Sequence, residues 1–427
     1  MFINFQEELN RELPVHKLDE EGKEKLKNPK DPIQFMWIGH ATFLVQFDGL
    51  TVLADPVFLY RCSPVQIVGP YRYRPTPCEI KDLPKIDAVI VSHNHYDHLE
   101  HDAVQKLNNR FKDIKWYVPE GTGSWFQKYD CNNVKEMTWW KEDVVKIGGK
   151  EVKFCCVPAQ HWSQRTPTDA MKSLWCGWVI KSKHTFYYSG DTGYCPVFKT
   201  IGEKYGPIDL SAIPIGCYAP RYFMKPQHIN PEEAVKVHTE VGSKYSIAIH
   251  WGTFNGLGSH EHYLEPKKYL DEAVREAKVD NMNFGEFLTV EHGKITAIPI
   301  KSKKTLQRMV KIKVTILETP VYSIYHWNKR KHHKTPDNFI TQDKELAEQV
   351  VQLNNKIKEI NSTLNSHTPK FSNDLQVRSK YKNGAHRTET NRSYYNFQLY
   401  ADGIHPTNLL ARTWLKKIAT QAQIDCW

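Results

Sequence analysis

No stretch of this 427-residue chain approaches the roughly 18 consecutive apolar residues that a membrane-spanning helix needs, which excludes a helical integral membrane protein. The first fourteen residues carry Glu, Arg and Asn without an apolar centre, so no secretory leader is expected. The nine cysteines are odd in number and scattered, apart from the adjacent Cys155 and Cys156. That is not a disulfide framework, and a reducing, intracellular compartment is expected. No internal repeat is visible, which excludes a solenoid. What remains is 40% hydrophobic and 25% charged, the balance of a folded globular protein with room for two or three domains or one large domain and an appendage.

Basic charge is also missing from most of the chain, although the net charge is +10. Residues 301–427 hold 22 Lys and Arg against 10 Asp and Glu, whereas residues 1–300 hold 36 against 38. The basic character therefore belongs to the tail, and an overall electrostatic attraction to nucleic acid is not expected of the first part.

Residues 1–300 alternate short β-branched or aromatic runs with helical stretches, the rhythm of an α/β protein. Ile33 to Phe47, then Asp48-Gly49, then Leu50 to Ala54 reads as a hairpin. Ile86–Val91, Val152–Val157, Phe186–Tyr188, Leu210–Ile215 and Ser246–Ile249 are predicted strands, and Asp102–Phe111 a predicted helix. Asn230-Pro231-Glu232-Glu233 opens another helix, with Asn as the cap, Pro in the first turn and acids facing the dipole. Near residue 301 the texture turns Lys- and Asn-rich, and the domain boundary is placed there. Beyond it, Lys313–Leu317 is a predicted strand. Leu346, Val350, Leu353, Ile357, Ile360 and Leu364 have helical spacing, and 366–392 reads as loop.

The densest chemistry is His93-Asn94-His95-Tyr96-Asp97-His98, directly after an apolar strand. Imidazoles and a carboxylate packed into one turning loop are the ligands zinc prefers. More ligand types follow other predicted strands: His161 after Val152–Val157, Asp191 after Phe186–Tyr188, and His250 after Ser246–Ile249. A rigid sheet aims residues placed at its strand ends. Asp55, also after a strand, is positioned to orient a ligand histidine.

This pattern resembles the metallo-β-lactamase superfamily. The strings WIGHATFLVQ, IDAVIVSHNHYDHL, GDTGYCPVF, IPIGCYAPRYFMKPQHINPEEAV and IHWGTF narrow the resemblance to the N-acylphosphatidylethanolamine-hydrolysing phospholipase D family, over about residues 6–293. The resemblance implies an αβ/βα sandwich carrying a basic α/β appendage. It implies two zinc ions, one on His93, His95 and His161, the other on Asp97, His98 and His250, with Asp191 bridging. Through it, Asp97, Asp191 and His228 are assigned to catalysis, in which a hydroxide shared by the zincs attacks phosphorus and His228, by its charge, binds the diester or protonates the leaving alkoxide. Tyr96, His228 and Gln66 are assigned to substrate contact, although Ile67 stands where the family commonly has Tyr. The implied products are N-acylethanolamine and phosphatidic acid. The implied setting is a phospholipid surface, at Golgi or endosomal membranes, met peripherally and with a homodimer as the expected assembly. Arg61, Arg72, Arg74, Tyr60, Tyr71 and Tyr73 are the surface-contact candidates.

The tail resembles the last third of an SGNH-type esterase-like domain from mobile elements, through Lys313–Pro320, the long helix and Asp402-Gly403-Ile404-His405. A serine nucleophile would lie upstream, where the phospholipase-like sequence sits instead, so Asp402 and His405 are expected to have no catalytic partner. Competing readings are a lactonase or nuclease on the same metals, an inactive fusion, and a nucleic-acid binder using the basic run at 329–334. GDTGYCPVF and PRYFMKPQH speak against the first of these, and the shortness of the run disfavours nucleic acid as a partner.

Overall fold

The computed structural model describes residues 5–280, 284–300, 340–363, 376–380 and 391–395. The chain divides into two units, Met1–Ile300 and Lys301–Trp427.

The first unit is built on two seven-stranded mixed sheets. One runs in the order Ile295–Ala297, Ile33–Gly39, Thr42–Phe47, Leu50–Ala54, Ala88–Ile90, Lys115–Pro119 and Val134–Met137. The other runs Glu286–Leu288, Ser243–Ile249, Ile208–Pro214, Thr185–Tyr188, Gly177–Lys181, Lys150–Val157 and Glu142–Ile147. Their inner faces meet through rings: Tyr117 stacks on Phe154 at 3.9 Å, and Phe43 meets Tyr188 edge-on at 5.2 Å. The other face of the first sheet, with Met36, Ile38, Leu44 and Val89, packs on Ala103, Val104 and Leu107 of helix His101–Arg110. Helix Pro231–Glu240 covers strands Ile208–Pro214 and Ser243–Ile249 and packs against helix Glu265–Asp280. The result is the expected αβ/βα sandwich. Each fully buried ring contributes roughly 2–3 kcal/mol relative to exposure.

Burial on both faces corrects one boundary. The apolar run from Ile33 to Phe47 is two antiparallel strands, Ile33–Gly39 and Thr42–Phe47, joined by a tight turn at His40 and Ala41. Since every residue of both strands is buried, no two-residue alternation marks where the chain reverses. The Asp48-Gly49 turn is as expected, with φ of 55° and 82°, joining Thr42–Phe47 to Leu50–Ala54. Asn230 caps helix Pro231–Glu240 in a reciprocal box, accepting from Glu233 N while Glu233 accepts from Asn230 N.

In the second unit, helix Ile340–Thr363 buries Val350, Asn354 and Ile357. Leu353, expected on the buried face, is 46% exposed, and Asn354 occupies that face instead. Part of the stretch read as loop is a strand, Gln376–Lys380, paired antiparallel with Asn391–Tyr395. Its polar alternation hid it. The predicted strand at 313–317, the basic run at 329–334, Asp402 and His405 lie outside the described residues. Among the described residues no helix is long and apolar enough to cross a membrane.

Candidate metal centre

The ligand-type residues arrive at one place because several strands of the two sheets end there. Strand Ala88–Ile90 leads through Val91 and Ser92 into the His93–His98 loop, which curls back so that His98 N and Leu99 N both donate to His95 O, at 3.1 and 2.9 Å. Arg165 fastens this loop from outside, donating to the carbonyls of Asn94 and Leu99 at 3.0 and 2.8 Å. Strand Thr185–Tyr188 runs into Ser189-Gly190-Asp191, where a side chain at Gly190 would meet Cys176 O at 2.5 Å and the φ is +64°. Only glycine lets Asp191 enter the centre at that point. His250 follows strand Ser243–Ile249 directly, with a φ of 64°. The turn carrying His228 is pressed so closely against Gly193 that a Cβ there would lie 2.4 Å from Pro226 O.

Seven residues picked from the sequence converge as two groups. In the first, His95 Nδ1 lies 2.8 Å from His93 Nε2 and 3.3 Å from His161 Nε2. In the second, His98 Nε2 lies 3.3 Å from His250 Nε2 and 3.5 Å from Asp97 Oδ2. Asp191 Oδ2 stands between the groups, 2.9 Å from His250 Nε2, 3.1 Å from His98 Nε2 and 3.9 Å from His161 Nε2. His228 Nδ1 is 3.8 Å from the same oxygen and has no hydrogen-bond partner among the described residues.

The far sides of three rings, His93, His98 and His161, are held by the protein. Asp55, completely buried, accepts from His98 Nδ1 at 2.6 Å, Ser92 N at 2.7 Å, and the Ser92 and Tyr188 hydroxyls at 2.5 Å each. His161 Nδ1 donates to Gln227 O at 3.0 Å, and His93 Nδ1 meets Ser92 Oγ at 2.9 Å. The outward nitrogens of His93, His98 and His161 are therefore engaged, the usual support for metal-binding histidines, whereas His95 Nε2 and His250 Nδ1 have no hydrogen-bond partner among the described residues.

The electrostatics call for a cation. Three ring nitrogens facing one another in the first group cannot satisfy each other by hydrogen bonds alone. Burial, with neighbouring imidazoles, holds His93 well below its ordinary range, and burial does the same to His161, so both rings offer lone pairs. Burial works against ionisation of Asp97 and Asp191, yet His98 beside Asp97, and His250 with His98 beside Asp191, keep both carboxyls well below the usual range. Against its own burial, His98 is held well above its ordinary value by Asp191 and Asp97. Its proton stands where positive charge is needed. Buried carboxylates without Lys or Arg partners are metal-site chemistry, and these residues fit a metal.

Burial pushes His228 down to about 4, which favours a hydrogen-bonding part over one that relies on its charge. One residue escaped the sequence reading altogether: His40 lies with Asp97, His98 and His250, its Nε2 2.9 Å from Asp97 Oδ2. Gly39-His40 interrupting an apolar run was the available signal.

Gln66 and Tyr96 line one cavity of about 680 Å³ together with Asn94, Trp125 and Arg165. The Arg165 guanidinium sits 4.1 Å over the Tyr96 ring. Of the surface-contact candidates, Arg72 and Arg74 are corrected: both are buried, Arg72 donating to the carbonyls of Val57 and Leu59 at 2.6 and 3.0 Å. Loop carbonyls without strand partners, rather than lipid phosphates, took up this cation. Tyr71 and Tyr73 are half-buried, whereas Tyr60 is exposed, as are Val65, Ile67 and Val68 beside Gln66.

A beta-lactamase superfamily domain matches residues 51–251. The chain is 44% identical over 294 residues to N-acyl-phosphatidylethanolamine-hydrolyzing phospholipase D 1 of Caenorhabditis elegans, covering 67% of this chain and 81% of that protein. It is 34% identical over 255 residues to the mitochondrial N-acyl-phosphatidylethanolamine-hydrolyzing phospholipase D of Saccharomyces cerevisiae, covering 58% of this chain and 53% of that protein. A metal-dependent hydrolase of Hyperthermus butylicus is 29% identical over 257 residues, 58% of this chain and 96% of that protein.

Proposed function

Since this chain belongs to the N-acylphosphatidylethanolamine-hydrolysing phospholipase D family, we propose that it cleaves N-acylphosphatidylethanolamine with water into N-acylethanolamine and phosphatidic acid, using two zinc ions. It is a metal-dependent hydrolase. The observation that carries the finer reading is the convergence of the two ligand groups on either side of Asp191 Oδ2. In this reading His93, His95 and His161 would hold one ion and Asp97, His98 and His250 the other, with Asp191 placed to serve both. Bound there, the ions supply Lewis acidity toward a phosphodiester and lower the pKa of water toward neutrality.

The chain's own groups do the rest. Asp55, Ser92 and Gln227 fix the tautomers of His98, His93 and His161, so the inward nitrogens keep their lone pairs. His228, neutral and with an unpartnered Nδ1 beside Asp191, presents a hydrogen bond to a phosphoryl or leaving-group oxygen. In the reaction the bond from phosphorus to the ethanolamine oxygen breaks, the water oxygen joins phosphorus, and a water proton ends on the departing alkoxide. Tyr96 and Gln66 contact the lipid along the cavity. Val65, Ile67 and Val68, exposed in the loop that forms its rim, support docking on a phospholipid surface.

The test is release of N-acylethanolamine from vesicles containing N-acylphosphatidylethanolamine by the full chain, with and without a zinc chelator and after zinc is restored. Chelator-sensitive, zinc-restored release is expected. Folded, zinc-loaded protein that cleaves a different phosphodiester and leaves this lipid intact would reject the substrate while leaving the hydrolase class untouched.

A further inference from the structure

We propose that His40 is a positioning residue for the carboxylate-bearing half of the metal centre, holding Asp97 through its side chain and His250 through its backbone. The inference rests on the two-metal reading and adds a residue outside its seven ligands. His40 is 1% exposed, and its Nε2 lies 2.9 Å from Asp97 Oδ2. An ionised carboxylate only accepts, so Nε2 carries the hydrogen and donates it. The same carboxylate oxygen lies 3.5 Å from His98 Nε2 and 3.8 Å from His250 Nε2. His40 thus fixes where the Asp97 oxygen nearest the other two ligands sits.

The main chain makes the second connection. His40 O accepts from His250 N at 2.9 Å and from Trp37 Nε1 at 2.8 Å, while His40 N donates to Thr253 Oγ1 at 2.8 Å. The His40 and His250 rings face each other with centroids 3.8 Å apart. The main-chain contacts fix where residue 40 sits, and the Nε2 contact to Asp97 is what its imidazole adds. The backbone also keeps them at a cost: His40 has a φ of 54°, in the left-handed region that favours glycine. Among the described residues eight non-glycine positions have positive φ, and three of them, His40, Asp55 and His250, surround this centre. Strain of this kind persists where surrounding contacts over-determine it.

The test compares His40→Gln with His40→Leu in the full chain. Both side chains fill the space and suffer similar backbone strain, but only the glutamine amide can still donate to Asp97. Zinc content after dialysis against graded chelator, zinc affinity by competition, and the absorption spectrum of the cobalt-loaded protein are read for each. His40→Leu is expected to hold one ion per chain as tightly as the parent and the other 10- to 100-fold more weakly, with an altered cobalt spectrum. His40→Gln is expected to recover most of that loss. In an Asp97→Asn background the further loss caused by His40→Leu should shrink below about threefold, because the two residues act through one contact. Unchanged affinity of both ions in His40→Leu, or equal weakening of both ions that persists undiminished in the Asp97→Asn background, would overturn the positioning role. Should the parent chain itself bind no zinc, the two-metal reading falls and this inference with it.

Discussion

The two halves of the centre are built from different materials. His93, His95 and His161 form a wholly imidazole group whose outer supports are neutral, the Ser92 hydroxyl and the Gln227 carbonyl. Asp97, His98 and His250 mix charge, and two of them have ionisable supports, Asp55 on His98 and His40 on Asp97. In the second half Asp191 and Asp97 hold His98 well above its ordinary value against its burial. In the first half one imidazole hydrogen serves three facing nitrogens at 2.8 and 3.3 Å, and burial holds His93 and His161 well below their ordinary range. The comparison teaches that the two halves offer a cation different things, one only neutral lone pairs and the other carboxylates beside a ring whose proton a cation would displace.

The sharpest way to break this contrast is to strike the group common to both halves. Asp191→Asn keeps the shape and removes the charge, and it should lower lipid hydrolysis roughly 100-fold or more while reducing bound metal in both halves. Activity and metal content measured on one preparation check this, and full activity with full metal would rule out the proposed sharing of Asp191. Asp55→Asn strikes the second half directly, through His98, and the first only through the Ser92 hydroxyl that meets His93. It should weaken one ion roughly 10- to 100-fold and the other much less, read by competition with a chelator; equal weakening of both would erase the distinction drawn between neutral and charged supports.

A histidine outside the centre supplies a control for burial alone. His238, 1% exposed, bonds Ser246 Oγ at 2.7 Å and is pushed down to about 4, chiefly by burial. Its folded value lies below the ordinary value of 6.5, so the unfolded chain takes up the proton first. The stability it contributes is complete above about pH 6.5 and is lost as the pH falls toward 4. His238→Asn should flatten the acid limb of a stability profile by roughly 1–3 kcal/mol over that window, read by denaturant titration at several pH values. An unchanged slope would show that burial is not what governs this ring. The smallest effect belongs to the tail: Asp402→Ala should leave hydrolysis and metal content at parental levels, and loss of either would give the tail a part in the chemistry.

Much of the centre was legible because ligand-type residues sit just past runs that could only be buried strands. His93 after Ile90, Asp191 after Tyr188 and His250 after Ile249 needed little more than the order of strand and polar residue. His40 was illegible because both faces of its sheet are covered, so an apolar run swallowed the turn that carries it. Arg72 and Arg74 misled for the opposite reason. Composition counts them as surface charge, but nearby carbonyls without strand partners draw Arg72 inside. Asn354 and Leu353 exchanged places on the tail helix because spacing fixes a stripe only to within a residue.

By itself the sequence determined the α/β rhythm, the ligand types and their order, since strand propensity and the chemistry of imidazole and carboxylate are carried by local residue identity, and its family resemblance implied the sandwich. Only the tertiary structure decided which nitrogen of each ring faces inward, that Asp55 and His40 lie against the second half, and that burial pushes His228 down. These depend on distances of about 3 Å between residues far apart in the chain and on burial from water, and neither is a property of any local stretch of sequence.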